Sequence, residues 1–356
     1  MLLAAEGSPV PVSLSFLEFR ADIENTLWFD ANLIGRSTAI CRKVITLYLR
    51  IGREIQVMAF DKNGAPRLRA NIAEYPSTLA MRQGRIVSRL VELDFCGPEK
   101  ARAGFRPMLR DAAFDVGELA LMTVLQAKAY GKPVVLLPAP VSGRFQHHCV
   151  GYNADFGTLA PKDIEGRRVG LRTYSQTTSV WVKGILQHEY GVDLDKVTWL
   201  TLADAHLAEH QDPPNCVRLP ADAKLDRMLL DGEMAAGILG SALPKEPRIR
   251  PLINEPMAAA LNWYAREGVI PINHMIAVRA ELAEARPDVV QDIYRMIAAS
   301  RAAAPETVRS KLPPLGFAAN HKALQMAIDW SFEQKVIPRR LAVEELFDAT
   351  TVNLNG

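Results

Sequence analysis

Residues 167–186 read RRVGLRTYSQTTSVWVKGIL. The stretch begins as a strand, RRVGL, and ends as a helix, SVWVKGIL. Between them stand Arg172, Thr173, Tyr174, Ser175, Gln176, Thr177 and Thr178, where two small turn residues would suffice. In open α/β sheets, ligands sit beyond the carboxyl ends of the strands, against the next helix N-terminus. Unpaired backbone N–H groups and the helix dipole favour an anion there. Arg172 can fork onto a carboxylate. Tyr174 offers a ring face and a hydroxyl, and Gln176 an amide. Ser175, Thr177 and Thr178 can cap the helix or bind a ligand oxygen. A cap needs one such residue, so the run reads as a cradle for a small aromatic or oxygenated acid. Neither GxGxxG nor GxxxxGKS/T occurs, so a nucleotide is not the favoured anion.

Outward from this stretch, the chain alternates. RLRANIA, RLVELDF, PVVLLPAPV, HHCVGYN, VTWLT, AAGILG and HMIAVRAEL read as strands. SVWVKGILQHEYGV, DAKLDRMLLDGE, RPDVVQDIYRMIAASRAAA and HKALQMAIDWSFEQKVI read as helices. The segment GFRPMLRDAAFDVGELALMTVLQAKAYG reads as helix, turn, helix, stopped by Gly131. Strands alternating with helices predict an α/β class with mainly parallel sheets. A chain of 356 residues suits two domains or two lobes.

Composition excludes several classes. The formal net charge is +2, and Lys and Arg do not cluster with aromatics, which argues against nucleic-acid binding. No apolar run approaches the roughly 18–20 residues of a membrane helix. The four cysteines, Cys41, Cys96, Cys149 and Cys216, form no CxxC pair, so buried thiols in a reducing cytosol are expected. The opening MLLAAEGSPVPVSLSF lacks the basic and apolar regions of a signal peptide. Residues 1–57 have weak periodicity, whereas MAFDKNGAPRLRANIAEY looks like an ordinary start. The expectation is an N-terminal extension over 1–66, with a native start at Met58 as one reading and a genuine extension as the other.

Further residues carry possible chemistry. RFQHHCVGYN places His147 and His148 at a strand position, on opposite faces. IPINHMIAV places His274 just before or within a strand. Histidine is the usual acid or base near neutrality, although a lone strand histidine is more often structural. Glu74 in AEYPST and Glu118 in FDVGELALM can orient a histidine or accept a hydroxyl proton; each alone also suits a surface charge. HLAEH at 206–210 matches the H-x-x-E-H metal-protease pattern, but QDPPN follows at once, so a solvent-facing helix end is the favoured reading.

The segment GRRVGLRTYSQTTSVWVKGILQHEYGVDLDKVTWLT resembles the central part of the 4,5-dihydroxyphthalate decarboxylase family. Supporting stretches are EYPSTLAMRQGRI, FDVGELALMTVLQAKAYGKPVVLLP, FQHHCVGYNAD, GVIPINHMIAVR and PRRLAVEELF, in family order across about 67–348. Two departures touch ligand-facing positions. Gln146 and His148 stand where the family has R-H-S-C, and GELALMTVL replaces a serine-rich helix. The resemblance implies a two-lobed type 2 periplasmic-binding-protein-like fold, each lobe a mainly parallel sheet flanked by helices. Lobe 1 would span 67–150 and 272–356, and lobe 2 would span 151–271.

The resemblance further implies decarboxylation of a hydroxylated aromatic dicarboxylic acid in the inter-lobe cleft, in cytoplasmic aromatic catabolism. His147 and His274 would be the acid and base, supported by Glu118. Arg172, Tyr174, Gln176, Thr177, Thr178, Trp181, Glu74 and Tyr75 would contact substrate. No step needs a metal or organic cofactor, and no motif for one is visible. The expected partner is a small aromatic acid, not nucleic acid or membrane; a homo-oligomer is allowed. The alternative is a solute-binding or sensor protein for a small organic acid, without chemistry.

Overall fold

The computed structural model describes residues 59–60 and 65–355. Residues 1–57, and with them the expectation of a start at Met58, lie outside the described residues. Two six-stranded sheets organise the chain. The first is built from β1 (Ala59–Phe60), β2 (Pro66–Asn71), β3 (Glu92–Asp94), β4 (Val116–Ala120), β5 (Val134–Gly143) and β12 (Ile272–Arg279). The second holds β6 (Val150–Asn153), β7 (Arg168–Leu171), β8 (Thr198–Thr201), β9 (Cys216–Arg218), β10 (Ala236–Ile238) and β11 (Ile249–Pro251). The first sheet runs β1-β2-β4-β12-β5, with β3 beside β2, and the second runs β11-β6-β10-β7-β8-β9. The first sheet thus begins at Ala59, within the span read as an extension.

Strand direction follows from how the chain crosses between the lobes. In the second sheet β7, β8, β9 and β10 run parallel and β6 runs against them. In the first, β2, β3 and β4 run parallel and β12 runs against β4 and β5. β1 also runs against β2, and the other two contrary strands, β6 and β12, arrive from the other lobe. β6 starts with Val150 beside Ile238, at the end of β10. β12 starts with Ile272 beside Gly143, at the end of β5. A chain entering where parallel strands end must run against them. The cleft edge of each lobe is therefore built of strand carboxyl ends plus one strand start, the usual ligand position in α/β sheets.

Six helices matter for the site: α1 (Phe105–Arg110), α2 (Leu121–Ala129), α3 (Thr177–Tyr190), α4 (Pro256–Glu267), α5 (Pro287–Ala302) and α6 (Phe317–Glu333). α5 buries Val289, Val290, Ile293, Met296 and Ile297, the stripe its spacing predicts. Four strands escape the sequence reading: the short β1, β9 and β11, and the buried β4. β4 runs straight into α2, with no turn residue between Ala120 and Leu121. Both are buried, so the apolar run reads as continuous helix. Among the described residues, no helix is long and apolar enough to cross a membrane. Cys96, Cys149 and Cys216 are free thiols.

α3 follows β7 in lobe 2, yet its inner face packs on lobe 1. The Trp181 indole N–H donates to the Ile272 carbonyl at 2.9 Å. The Trp181 and Trp330 rings meet edge-on at 5.4 Å, and His188 stacks on Trp330 at 5.2 Å. The Gln334 amide donates to the Val180 carbonyl. Gly184 lies beneath Trp330, and a Cβ at that position would overlap the indole. One apolar core accordingly joins both sheets, running from Phe105 and Leu119 through Trp181 and Trp199 to Trp330.

The segment between β5 and β6 is a 3₁₀ turn at His147–Cys149, not the strand expected for RFQHHC. Such a turn does not alternate its side chains between two faces. His147 is 1% exposed and its ring stands edge-on to Trp263 of α4, 5.8 Å away. Burial first, then the charges of His148 and Arg266, push its pKa down to about 4.

Two predictions arise from this packing. Gly184→Ala should cost about 1–3 kcal/mol through overpacking, seen as a lower thermal unfolding midpoint, and Trp330→Leu in the same chain should recover part of the loss. An unchanged midpoint for Gly184→Ala would contradict the α3–α6 contact. Unfolded His147 titrates near 6.5 and the folded residue near 4, so between these values the unfolded chain binds more protons. Stability should fall as pH drops through this window, and less steeply in His147→Gln, as denaturant midpoints at pH 4.5 and 7 would show.

Candidate active site

Glu118 sits on β4, 1% exposed, at the cleft edge of the first sheet. The Tyr75 hydroxyl, from the loop after β2, donates to its Oε1 at 3.1 Å. His274 Nδ1 lies 3.8 Å from its Oε2. Strand register explains the pair. His274 stands opposite Ala120 and Glu118 opposite Ile276, so the two are diagonal neighbours on one face. Glu118 Oε2 and His274 Nδ1 are both buried without a hydrogen-bond partner. A shift of under about 1 Å would join them within normal hydrogen-bond range. With Nδ1–H aimed at Glu118, His274 keeps Nε2 for a ligand. Burial, and then the Glu118 charge, raise the Tyr75 hydroxyl above its ordinary range, so it stays a donor.

A cluster of cations forms a second group. Arg172 closes β7, while Arg102 and Arg106 come from the start of α1 and the turn before it. Burial, then the charges of Arg102 and Arg106, push the Arg172 guanidinium below its usual range. Among the described residues, none of the three pairs with a carboxylate. Arg106 Nη2 instead donates to the carbonyls of Asp204 and Ala205, at 2.9 and 3.1 Å. Gathered cations without counter-ions favour a nearby anion.

His206 completes the cluster. Its Nδ1 is 2.7 Å from Thr123 Oγ1 of α2. Burial first, then Arg106, Arg172, His274 and Arg110, push its pKa down to about 4. Phe105 stands between the two histidines, edge-on to His206 at 5.6 Å and to His274 at 5.3 Å.

Two helix starts meet here as well. Neither α2 nor α3 has a side-chain cap of its own. The Thr177 hydroxyl accepts instead from the Met122 N–H of α2, at 3.3 Å across the cleft. Asn273 Nδ2 donates to Thr178 Oγ1 at 3.4 Å. Gln176, the N-cap residue of α3, is exposed.

Other sequence candidates point elsewhere. His147 packs on Trp263, and no described contact joins it to Glu118 or His274. His148 is exposed and feels the charge of Arg144. Tyr174, 3% exposed, turns into lobe 2 over the buried Lys183, whose Nζ lies 3.0 Å from its ring centre and donates to its carbonyl. Trp181 is fully buried toward Ile272 and serves packing. Glu74 is exposed and faces Arg82 at 3.8 Å. HLAEH is irregular chain rather than a helix end; Glu209 pairs with Lys132 at 2.5 Å, and His210 faces Asp212 at 3.3 Å. Among the described residues, no group of three or more His, Cys, Asp or Glu could hold a metal.

Sequence reasoning missed Arg102, Arg106 and His206. For the arginines a signal existed. Arg102, Arg106 and Arg110 recur every fourth residue, the spacing of one helical face. His206 is marked only by the H-x-x-E-H pattern, which points to a metal rather than to its partners on other elements.

No protein-family model matches the chain. It is similar to the 4,5-dihydroxyphthalate decarboxylase of Comamonas testosteroni, 31% identical over 191 residues, 50% of this chain and 58% of that protein. Its likeness to the 4,5-dihydroxyphthalate decarboxylase of Pseudomonas putida is 28% over 170 residues, 44% of this chain and 65% of that protein. The chain therefore spans less than two thirds of either relative. Among solved structures, the alkanesulfonate-binding protein SsuA from Xanthomonas axonopodis pv. citri, bound to MOPS, superposes with a TM-score of 0.50 at 16% identity, covering 80% of this chain and 99% of that one. The periplasmic aliphatic sulphonate binding protein SsuA from Escherichia coli gives 0.52 at 14% identity, covering 82% and 94%. The chain thus has the two-lobed fold of the periplasmic binding proteins, and over about half its length it is a sequence relative of the 4,5-dihydroxyphthalate decarboxylases.

Proposed function

We propose that this protein is a carboxy-lyase acting on a hydroxylated aromatic dicarboxylic acid of the 4,5-dihydroxyphthalate type, in aromatic catabolism. The observation that carries the reading is the opposition of two half-sites. On one side, Arg102, Arg106 and Arg172 stand without counter-ions. On the other, buried Glu118 is held by Tyr75 and faces His274 at 3.8 Å. The names of the two sequence relatives agree with this chemistry.

In the proposed reaction the arginines and the starts of α2 and α3 hold the carboxylates. A ring hydroxyl para to one carboxylate gives up its proton to solvent water, and electron density moves to the carbon bearing that carboxylate. Protonation of this carbon forms the new C–H bond and gives a dienone. The C–C bond to the carboxylate then breaks, its electron pair restores the aromatic ring, and CO2 leaves. The product oxygen takes back a proton, so one proton is consumed overall. His274 is the proton donor to carbon, with Glu118 orienting its ring and Tyr75 fixing Glu118. His147, pointed at Trp263, has no part in this scheme.

The rival reading, a binding protein for a small organic acid, is supported by the fold of the structural neighbours. Glu118 weighs against it. A buried carboxylate with one unbonded oxygen is costly and repels an anionic ligand, so a site that only binds anions gains nothing from it.

Incubation with 4,5-dihydroxyphthalate and related hydroxybenzoates, with and without EDTA, should release CO2. Tight binding across the panel without CO2 would sink the enzyme reading in favour of the binding protein. Glu118→Gln should lower kcat by about 10²–10⁴, with KM changing far less. Arg172→Ala should mainly raise KM, by about tenfold or more. Equal kcat in Glu118→Gln and wild type would remove Glu118 from the mechanism.

A further inference from the structure

His206 enters the cleft from the loop after β8, and elements of lobe 1 seat it. Thr123 holds Nδ1 at 2.7 Å. Arg110 donates from Nε and Nη2 to the His206 carbonyl, at 3.2 and 2.8 Å. Arg106 holds the two preceding carbonyls. With Nδ1 committed, Nε2 is the remaining ring nitrogen, and it has no protein partner among the described residues. The titratable groups that bear on the ring are Arg106, Arg172, His274 and Arg110, and no carboxylate is among them. A histidine kept for an ion pair would have an acid beside it. This one is ringed by cations and stays neutral near pH 7. A neutral imidazole can still donate one hydrogen bond without adding charge. The Thr123 hydroxyl can donate to Nδ1, which leaves the ring proton on Nε2.

We propose that His206 is a substrate-binding residue whose Nε2–H donates to the aromatic carboxylate gripped by Arg106 and Arg172. The inference rests on the reading that the cleft takes an aromatic carboxylate. It gives α1 two tasks: Arg106 supplies charge to the anion, and Arg106 with Arg110 fixes the loop that delivers the neutral donor. Thr123 is a positioning residue, acting through the ring it holds.

Phthalate, which has both carboxylates but no ring hydroxyl to ionise, tests the contact apart from turnover. Its binding would be measured by calorimetry for wild type, His206→Ala, His206→Gln, Thr123→Val and Arg172→Ala, with unfolding midpoints taken in parallel. His206→Ala should weaken phthalate by about tenfold or more, the usual loss for a hydrogen bond to a charged group. His206→Gln should recover most of it, because an amide N–H reaches the Nε2 position. Thr123→Val should lose a few-fold. With 4,5-dihydroxyphthalate, His206→Ala should raise KM while kcat moves less than about threefold.

Phthalate binding by His206→Ala within twofold of wild type, while Arg172→Ala loses it, overturns the role of His206 and leaves the cleft reading standing. Wild-type binding in both variants, or no binding by wild type itself, overturns the anion site and both readings. A fall in kcat at constant KM overturns the proposal by making His206 a proton carrier. Should His206→Ala fail to fold, His206→Gln against Thr123→Val decides: the proposal is overturned if Gln binds no better than Val.

Discussion

The bond from the Trp181 indole to the Ile272 carbonyl is the constraint on which the rest of the site depends. Trp181 belongs to α3, and Ile272 begins β12, the strand that brings the chain back into lobe 1. The bond ties the helix of one lobe to the crossing point of the other. Gly184 deepens the contact by letting Trp330 sit against the helix backbone. With α3 held in this way, its first residues cannot drift from the cleft edge. Thr177 then reaches Met122, and Thr178 reaches Asn273.

This rigidity lets charges be placed where they would otherwise separate. Arg102, Arg106 and Arg172 repel one another, and Arg172 feels that repulsion. They stay together because α1 and β7 are anchored by apolar packing, and because Arg106 is held by the carbonyls of the loop at 204–205. Such repulsion would be relieved by an anion, as the proposed function requires. Glu118 is the opposite case, a negative group buried among apolar neighbours and held by one tyrosine. Phe105 stands between the two histidines.

The fold supplies the frame and the side chains supply the chemistry. A two-lobed sheet pair delivers helix starts and strand ends to one cleft, which suits anion capture by any protein built on it. Glu118 is an addition at mid-β4, where diagonal register with β12 brings His274 beside it. A one-residue slip of that register would turn one of the two away.

The amino-acid sequence by itself determined the α/β class, the strand–loop–helix unit at 168–190 and the cleft-edge position of Arg172, because periodicity and turn chemistry are local properties. It also marked Glu118 and His274 as candidates, although β4 was hidden by its direct run into α2. Tertiary structure decided which side chains face each other. Tyr174 and Trp181 stand in the same loop and helix as Arg172, yet packing turns them inward, Tyr174 over Lys183 and Trp181 onto Ile272. The surroundings of His147 and His206 were set in the same way. The neighbours of His147 belong to a 3₁₀ turn and α4, while His206 meets Thr123 across 83 residues of chain. No local pattern encodes a contact at that separation; only the packing of the loop after β8 against α2 creates it.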